Sequence, residues 1–243
     1  MSTGQAPKPT VVLVHGAFAD GSSWDGVIER LRGQGYPVLA PANPLRDLNG
    51  DSAYVSSVLD TIPGPVILVG HSYGGEVITN AAAGHANVRA LVYVAAFAPD
   101  QDETALDLTG KFPGSSLGAN LNIHPYPLPG GGSAPEAVVK ESAFRWVFAA
   151  DVRAETAADM AATQRPVGVA ALAAPSGAPA WKTFPSWYLV AGADKAIPPA
   201  AEAFMARRAH AHTVTVNGAS HAVMVSHPDR TAELIVEAAE ATS

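Results

Sequence analysis

Apolar residues in this chain fall into short runs that alternate with longer amphipathic stretches. Residues 10–14 (TVVLV) form a β-branched run that stops at His15-Gly16. Comparable runs occupy 35–40, 65–70, 88–95, 186–191 and 212–216. Runs this short, apolar throughout and bounded by turn residues, predict strands buried on both faces. Between them lie stretches with helical spacing: from Ser22 or Ser23 to about 33, then 51–61, 76–83, 199–209 and 229–241. Strand and helix alternate, which predicts an α/β fold with a mostly parallel central sheet of about six strands, flanked by helices.

The alternation lapses between about residues 98 and 183. That stretch holds Pro- and Gly-rich segments such as Tyr126-Pro-Leu-Pro-Gly-Gly-Gly132, and helical patches at 136–148 and 155–163. A connection this long inside a compact domain is functional more often than not. It reads as a mostly helical lid inserted in a single domain spanning 1–243.

Composition narrows the partners. A net charge of −7 with no run of Lys and Arg argues against nucleic acid. The absence of cysteine removes disulfides, thiolate metal sites and a Cys nucleophile. No apolar run approaches a membrane span, and the polar start of the chain carries no visible signal peptide. The expectation is a cytoplasmic protein acting on a small molecule, without metal or organic cofactor, and compatible with a homodimer.

The chemistry concentrates at strand ends. Gly70-His-Ser-Tyr-Gly-Gly75 sits between a predicted strand and a predicted helix. In that context the G-x-S-x-G pattern places a serine, Ser72, on a tight turn with its hydroxyl exposed. Backbone N–H groups of Tyr73 and of Ala17, in the loop after the first strand, are the expected oxyanion donors. A serine needs a base, and His221 follows the last strand in Gly218-Ala-Ser-His221. Asp194, after the fifth strand, is the expected acid, with Asp100 and Asp102 as alternatives after the fourth. The order Ser72, Asp194, His221 matches a strand-end triad. His15 reads as a packed structural residue. His71, beside the serine, is read as pointing away from it. His227, His85, His124, His210 and His212 are assigned no catalytic part.

The blocks VLVHGAF, VGHSYGG, GADKAIP and ASHAVMVSHP resemble the α/β-hydrolase superfamily over essentially the whole chain. They look like the branch of plant methyl esterases, hydroxynitrile lyases and small bacterial esterases. The resemblance implies a mostly parallel sheet with a cap, and here a six-stranded core because only nine residues precede the first strand. Lyases of that branch carry threonine after the loop histidine and lysine after the catalytic histidine. This chain has Gly16 and Ala222 there, which favours a serine esterase acting on small to medium apolar esters. Alternatives left open are a hydroxynitrile lyase or C–C bond hydrolase, perhydrolysis as a side activity, and a ligand-binding protein on the same scaffold. Apolar lid residues that could line the pocket are Phe112, Leu117, Leu121, Tyr126, Phe144, Trp146 and Phe148.

Overall fold

The computed structural model describes residues 7–243. Most of the polar leading stretch, read above as lacking a signal peptide, lies outside the described residues. Among the described residues, no helix is long and apolar enough to cross a membrane.

The central sheet is built from β1 (Thr10–Val14), β2 (Val38–Leu39), β3 (Val66–His71), β4 (Val88–Val94), β8 (Ser186–Ala191) and β9 (His212–Val216). All six are parallel, in the order β2-β1-β3-β4-β8-β9. Side chains of a strand alternate between faces. Val11 and Leu13 therefore enter one core, while Val12 and Val14 enter the other. Both faces are covered, so the strands need apolar residues at every position.

One face is covered by α1 (Asp25–Gly33), the short α9 (Val223–Ser226) and α10 (Pro228–Ala241), through Val27, Leu31, Val223, Leu234 and Ile235. The other receives α2 (Leu48–Asp60), α3 (Tyr73–Ala81) and α8 (Pro199–Arg208). α2 starts earlier than its spacing predicts, because Asp47 caps it and accepts the Gly50 N–H at 2.7 Å. α3 likewise begins at Tyr73, immediately behind Ser72. The predicted strand at 35–40 contracts to two residues, since Gly35 turns the chain at a φ of +81°.

Between β4 and β8 the chain is less regular. It holds α4 (Ala105–Gly110), α5 (Glu141–Phe148), α6 (Ala154–Thr163) and α7 (Val169–Ala173). It also holds a three-stranded antiparallel sheet of β5 (Leu121–Pro127), β6 (Ser133–Val139) and β7 (Val167–Gly168). Helix outweighs strand in this segment, as expected, and the small sheet is what the mostly helical reading lacks. The Pro-rich stretch is a hairpin, with Leu128 N–H bonded to Gly132 C=O at 3.1 Å. The patch expected to be one helix over 136–148 is the end of a strand followed by α5. Glu136 holds the strand portion down, accepting from Arg46 at 2.7 Å and facing His124 Nε2 at 2.9 Å.

The order of strands reverses at β1, which pairs with β2 on one side and β3 on the other. Ligands of open parallel sheets collect at the strand C-termini beside such a reversal. The loops after β1 and β3 meet there.

Candidate active site

Ser72 joins β3 to α3 with φ +52° and ψ −124°. A side chain rarely adopts this backbone, and the surroundings must hold it. Ser72 C=O accepts the N–H groups of Gly75 at 2.9 Å and Phe97 at 3.1 Å. Glycine is required on two sides. A Cβ on Gly70 would lie 2.5 Å from Gly74 O, and one on Gly16 would lie 2.7 Å from Ser72 Cβ. Gly16 thus does more than turn its loop. It lets that loop close against the serine.

Ser72 lines a cavity of about 80 Å3 together with Ala17, Tyr73 and His221. Neither the Ala17 nor the Tyr73 N–H has a backbone acceptor in the turns and loops of the described residues. Tyr73 also stands at the N-terminus of α3, where N–H groups and the helix dipole favour negative charge. Its side chain has an anchoring part that the sequence did not reveal. The phenol donates to Asp51 Oδ2 of α2 at 2.7 Å, in a fully buried contact. Burial raises the Asp51 carboxyl, and the phenol bond opposes that.

His221 and Asp194 come together as expected. His221 Nδ1 lies 2.5 Å from Asp194 Oδ2, and both residues are buried. The carboxylate therefore accepts a hydrogen bond from the Nδ1–H and leaves Nε2 as the acceptor nitrogen. Asp194 Oδ1 accepts the N–H groups of Ala196 at 2.7 Å and Ile197 at 3.0 Å. The two loops are laced together, with Ala193 N–H donating to Ala219 C=O at 2.9 Å. No hydrogen bond joins Ser72 Oγ to His221 in this arrangement. Such bonds commonly tighten only with substrate bound.

Three further residues hold His221, and the sequence marks none of them for that part. Asp151 accepts from the Ser220 N–H at 3.1 Å and from the Ser220 hydroxyl, and faces His227 Nε2 at 3.1 Å. Phe148 C=O accepts the Ala222 N–H at 2.9 Å, and its ring meets the His221 ring edge-on at 4.8 Å. His71 Nε2 donates to His221 C=O at 2.9 Å, with the two rings 4.7 Å apart. Burial holds His71 well below the usual histidine range, so it is a neutral donor. Its part lies with His221, which its neighbourhood to the serine in sequence did not indicate.

The alternative acids lie elsewhere. Asp100 pairs with Lys182 at 2.5 Å, and Asp102 is exposed. His15 is buried, with Nδ1 donating to Gly16 C=O at 2.9 Å and Nε2 accepting the Asn43 N–H at 3.0 Å. It braces the loop that carries Ala17. His85 bonds Ser56 at 2.7 Å, and His212 stacks on Trp187. Ala222 is fully buried, so the position that follows His221 faces core rather than cavity.

The cavity wall is apolar, with Phe97, Leu106, Leu172 and Ile197 contributing. No Asp, Glu, Lys or Arg lines it. Of the apolar residues read as candidates, Leu117, Leu121 and Phe148 reach it. Phe144 stacks on Phe148, Phe112 packs on Phe204, Tyr126 lies under Arg46, and Trp146 is exposed beside Lys195.

Comparison with known proteins places the fold. The profile of the Alpha/beta hydrolase family matches residues 11–234. A carbendazim hydrolyzing esterase from Nocardioides sp. (strain SG-4G) is 37% identical over 113 residues, 41% of this chain and 47% of that protein. The match thus spans about half the length of that relative. A pyrethroid hydrolase from Sphingobium faniae JZ-2 is 25% identical with a TM-score of 0.76, covering 96% of this chain and 98% of the other. Polyneuridine aldehyde esterase superposes with a TM-score of 0.81 at 18% identity, over 95% of this chain and 98% of its own.

Proposed function

We propose, from the premise that the chain belongs to the alpha/beta hydrolase family, that it is a serine-dependent carboxylic ester hydrolase. The observation that carries this reading is a single cavity shared by three features. Ser72 stands there on a strained strand-to-helix turn, His221 stands there bonded to Asp194, and the wall around both is uncharged.

In this reading Ser72 Oγ attacks the ester carbonyl while His221 Nε2 takes its proton. Asp194 holds the imidazole in the Nδ1–H form and stabilises the imidazolium. The N–H groups of Ala17 and Tyr73 receive the oxyanion. His221 then protonates the departing alcohol, and water repeats the sequence on the acyl-enzyme. The segment from about 98 to 183 acts as a lid, supplying the apolar wall that selects neutral, small to medium acyl groups. No metal or organic cofactor has a step in this sequence. Within this proposal the enzyme is cytoplasmic. A lyase that relies on lysine beside the histidine is less well supported, since Ala222 is buried in the core.

The test is a panel of p-nitrophenyl esters of rising acyl length, extended to carbendazim and a pyrethroid because relatives are named for them. Wild-type protein should turn over short neutral esters, and Ser72→Ala and His221→Ala should not. Asp194→Asn should lower kcat strongly, by about 10⁴-fold in the best-studied triad. Unchanged turnover in Ser72→Ala refutes the reading.

A further inference from the structure

Behind the Asp194–His221 pair lies a second carboxyl group that the hydrolytic sequence leaves unused. Glu202 stands in the first turn of α8 and is fully buried. Its Oε2 accepts the Ala191 N–H at 3.0 Å, whereas its Oε1 has no partner. Ala191 ties the two carboxyl-bearing residues together, since its N–H donates to Glu202 while its C=O accepts the Asp194 N–H at 3.2 Å, and this sets Glu202 beside Asp194. Two carboxylates so close in a dry interior cannot both ionise, so one of them keeps a proton.

The donors around the pair decide which. Asp194 receives three: His221 Nδ1 at 2.5 Å, Ala196 N–H at 2.7 Å and Ile197 N–H at 3.0 Å. Glu202 receives one. Donors favour the charged form, so the charge belongs on Asp194 and the proton on Glu202. Burial first, and the neighbouring Asp194 charge second, push Glu202 well above the usual carboxylate range. Besides His221, the pair is faced by Tyr188 of β8, a buried phenol that donates to Ala96 C=O. Tyr93 of β4 stacks on its far side at 5.8 Å. Both phenols are held above their usual range, chiefly by burial, and are neutral.

We propose that Glu202 is a positioning residue of the active site, a neutral acid whose O–H donates to Asp194 and thereby fixes the carboxylate that orients His221. A proton on Oε1 also turns an orphan acceptor into a satisfied donor. The inference rests on reading Ser72, His221 and Asp194 as a triad. Its consequence is that the Asp194 charge is shared over four donors. Removing the Glu202 donor concentrates that charge on the His221 bond and raises the histidine's affinity for a proton.

The test compares Glu202→Gln with Glu202→Leu. The first keeps an acceptor for Ala191 and a neutral donor for Asp194. The second keeps neither. The His221 titration is followed by NMR of its imidazole, and Ser72 reactivity by its rate of labelling with a fluorophosphonate. Glu202→Gln should leave the titration within about 0.3 unit of wild type and the labelling rate within about twofold. Glu202→Leu should move the titration upward and lower kcat about tenfold with KM little changed, as loss of a bond to a charged group implies. If Glu202 is ionised in the native protein, Glu202→Gln removes a charge and lowers the His221 titration by about a unit or more, which overturns the proposal. Wild-type titration and kcat in Glu202→Leu overturn it too. Should Glu202→Leu fail to fold, the Glu202→Gln titration decides alone. The NMR readout needs no turnover. Absent labelling of Ser72 would refute the hydrolase reading, while a shifted titration in Glu202→Gln would refute this one.

Discussion

The sheet frame and the segment between β4 and β8 meet at one cavity, but they hold it by different means. The frame works by close backbone approach. Gly16 against Ser72, Gly70 against Gly74, and the laced loops of Asp194 and His221 leave almost no freedom. The inserted segment works by packing and a few tethers. Phe148 lies on His221, Asp151 bonds Ser220, and Leu117 and Leu121 close the wall. In the proposed function, chemistry thus sits on the frame and selection on the insert. The same frame can then serve different substrates when the insert changes.

The largest effect should come where the two regions join. Phe148→Ala removes a fully buried ring from between His221, Phe144 and Phe18, and should cost about 3–5 kcal/mol of stability in urea unfolding. A cost below about 1 kcal/mol would mean that the insert rests loosely on the frame. Gly16→Thr tests the frame itself. The new Cβ would meet Ser72 Cβ at 2.7 Å and His71 O at 2.8 Å. Displacing the serine by even about 1 Å should cost about 100-fold in kcat/KM, read with p-nitrophenyl acetate. Near-normal activity would show that the approach is less exacting than the geometry implies.

Asp151→Ala cuts a tether from the insert to the histidine loop. kcat should fall about tenfold with KM little changed, since the lost bonds hold His221 rather than substrate. The smallest effect should come from a site that serves neither region's chemistry. Glu76 in α3 is buried, and neither of its carboxyl oxygens has a partner. Burial holds its carboxyl well above the usual range. The unfolded chain releases this proton above about pH 4.5 while the folded chain keeps it. Its contribution to stability therefore falls as pH rises from about 4.5 towards the raised folded value. Glu76→Leu should stabilise the protein by about 1 kcal/mol at pH 7, with less gain at pH 5, in thermal unfolding across that range.

What could be read in the sequence follows the same division. Ser72, Asp194 and His221 each sit in a short block at a strand end, where local pattern and fold topology coincide. The alternation of buried strands and amphipathic helices likewise places the six-stranded sheet. The insert carries weaker local signals. Pro125 and Pro127 disguise β5, an exposed edge strand that tolerates proline, and Ser133–Val139 carries residues that also suit a helix. Asp151 and Ser220 are 69 residues apart, and no local pattern joins them. Glu202 looks like an ordinary helix-start acid until α8 is folded against Asp194. The sequence marks Tyr73 for its N–H alone, because its bond to Asp51 depends on how α2 packs against α3.

Hydrolysis by the proposed route requires that Ser72 carry the acyl group during turnover. The most direct measurement is acid quench of the protein during hydrolysis of p-nitrophenyl butyrate, followed by intact and peptide mass spectrometry. One butyryl group per chain is expected, located on the peptide that contains Ser72 and absent from Ser72→Ala. Steady hydrolysis with an unmodified Ser72 peptide, or with the acyl group on another residue, would contradict it.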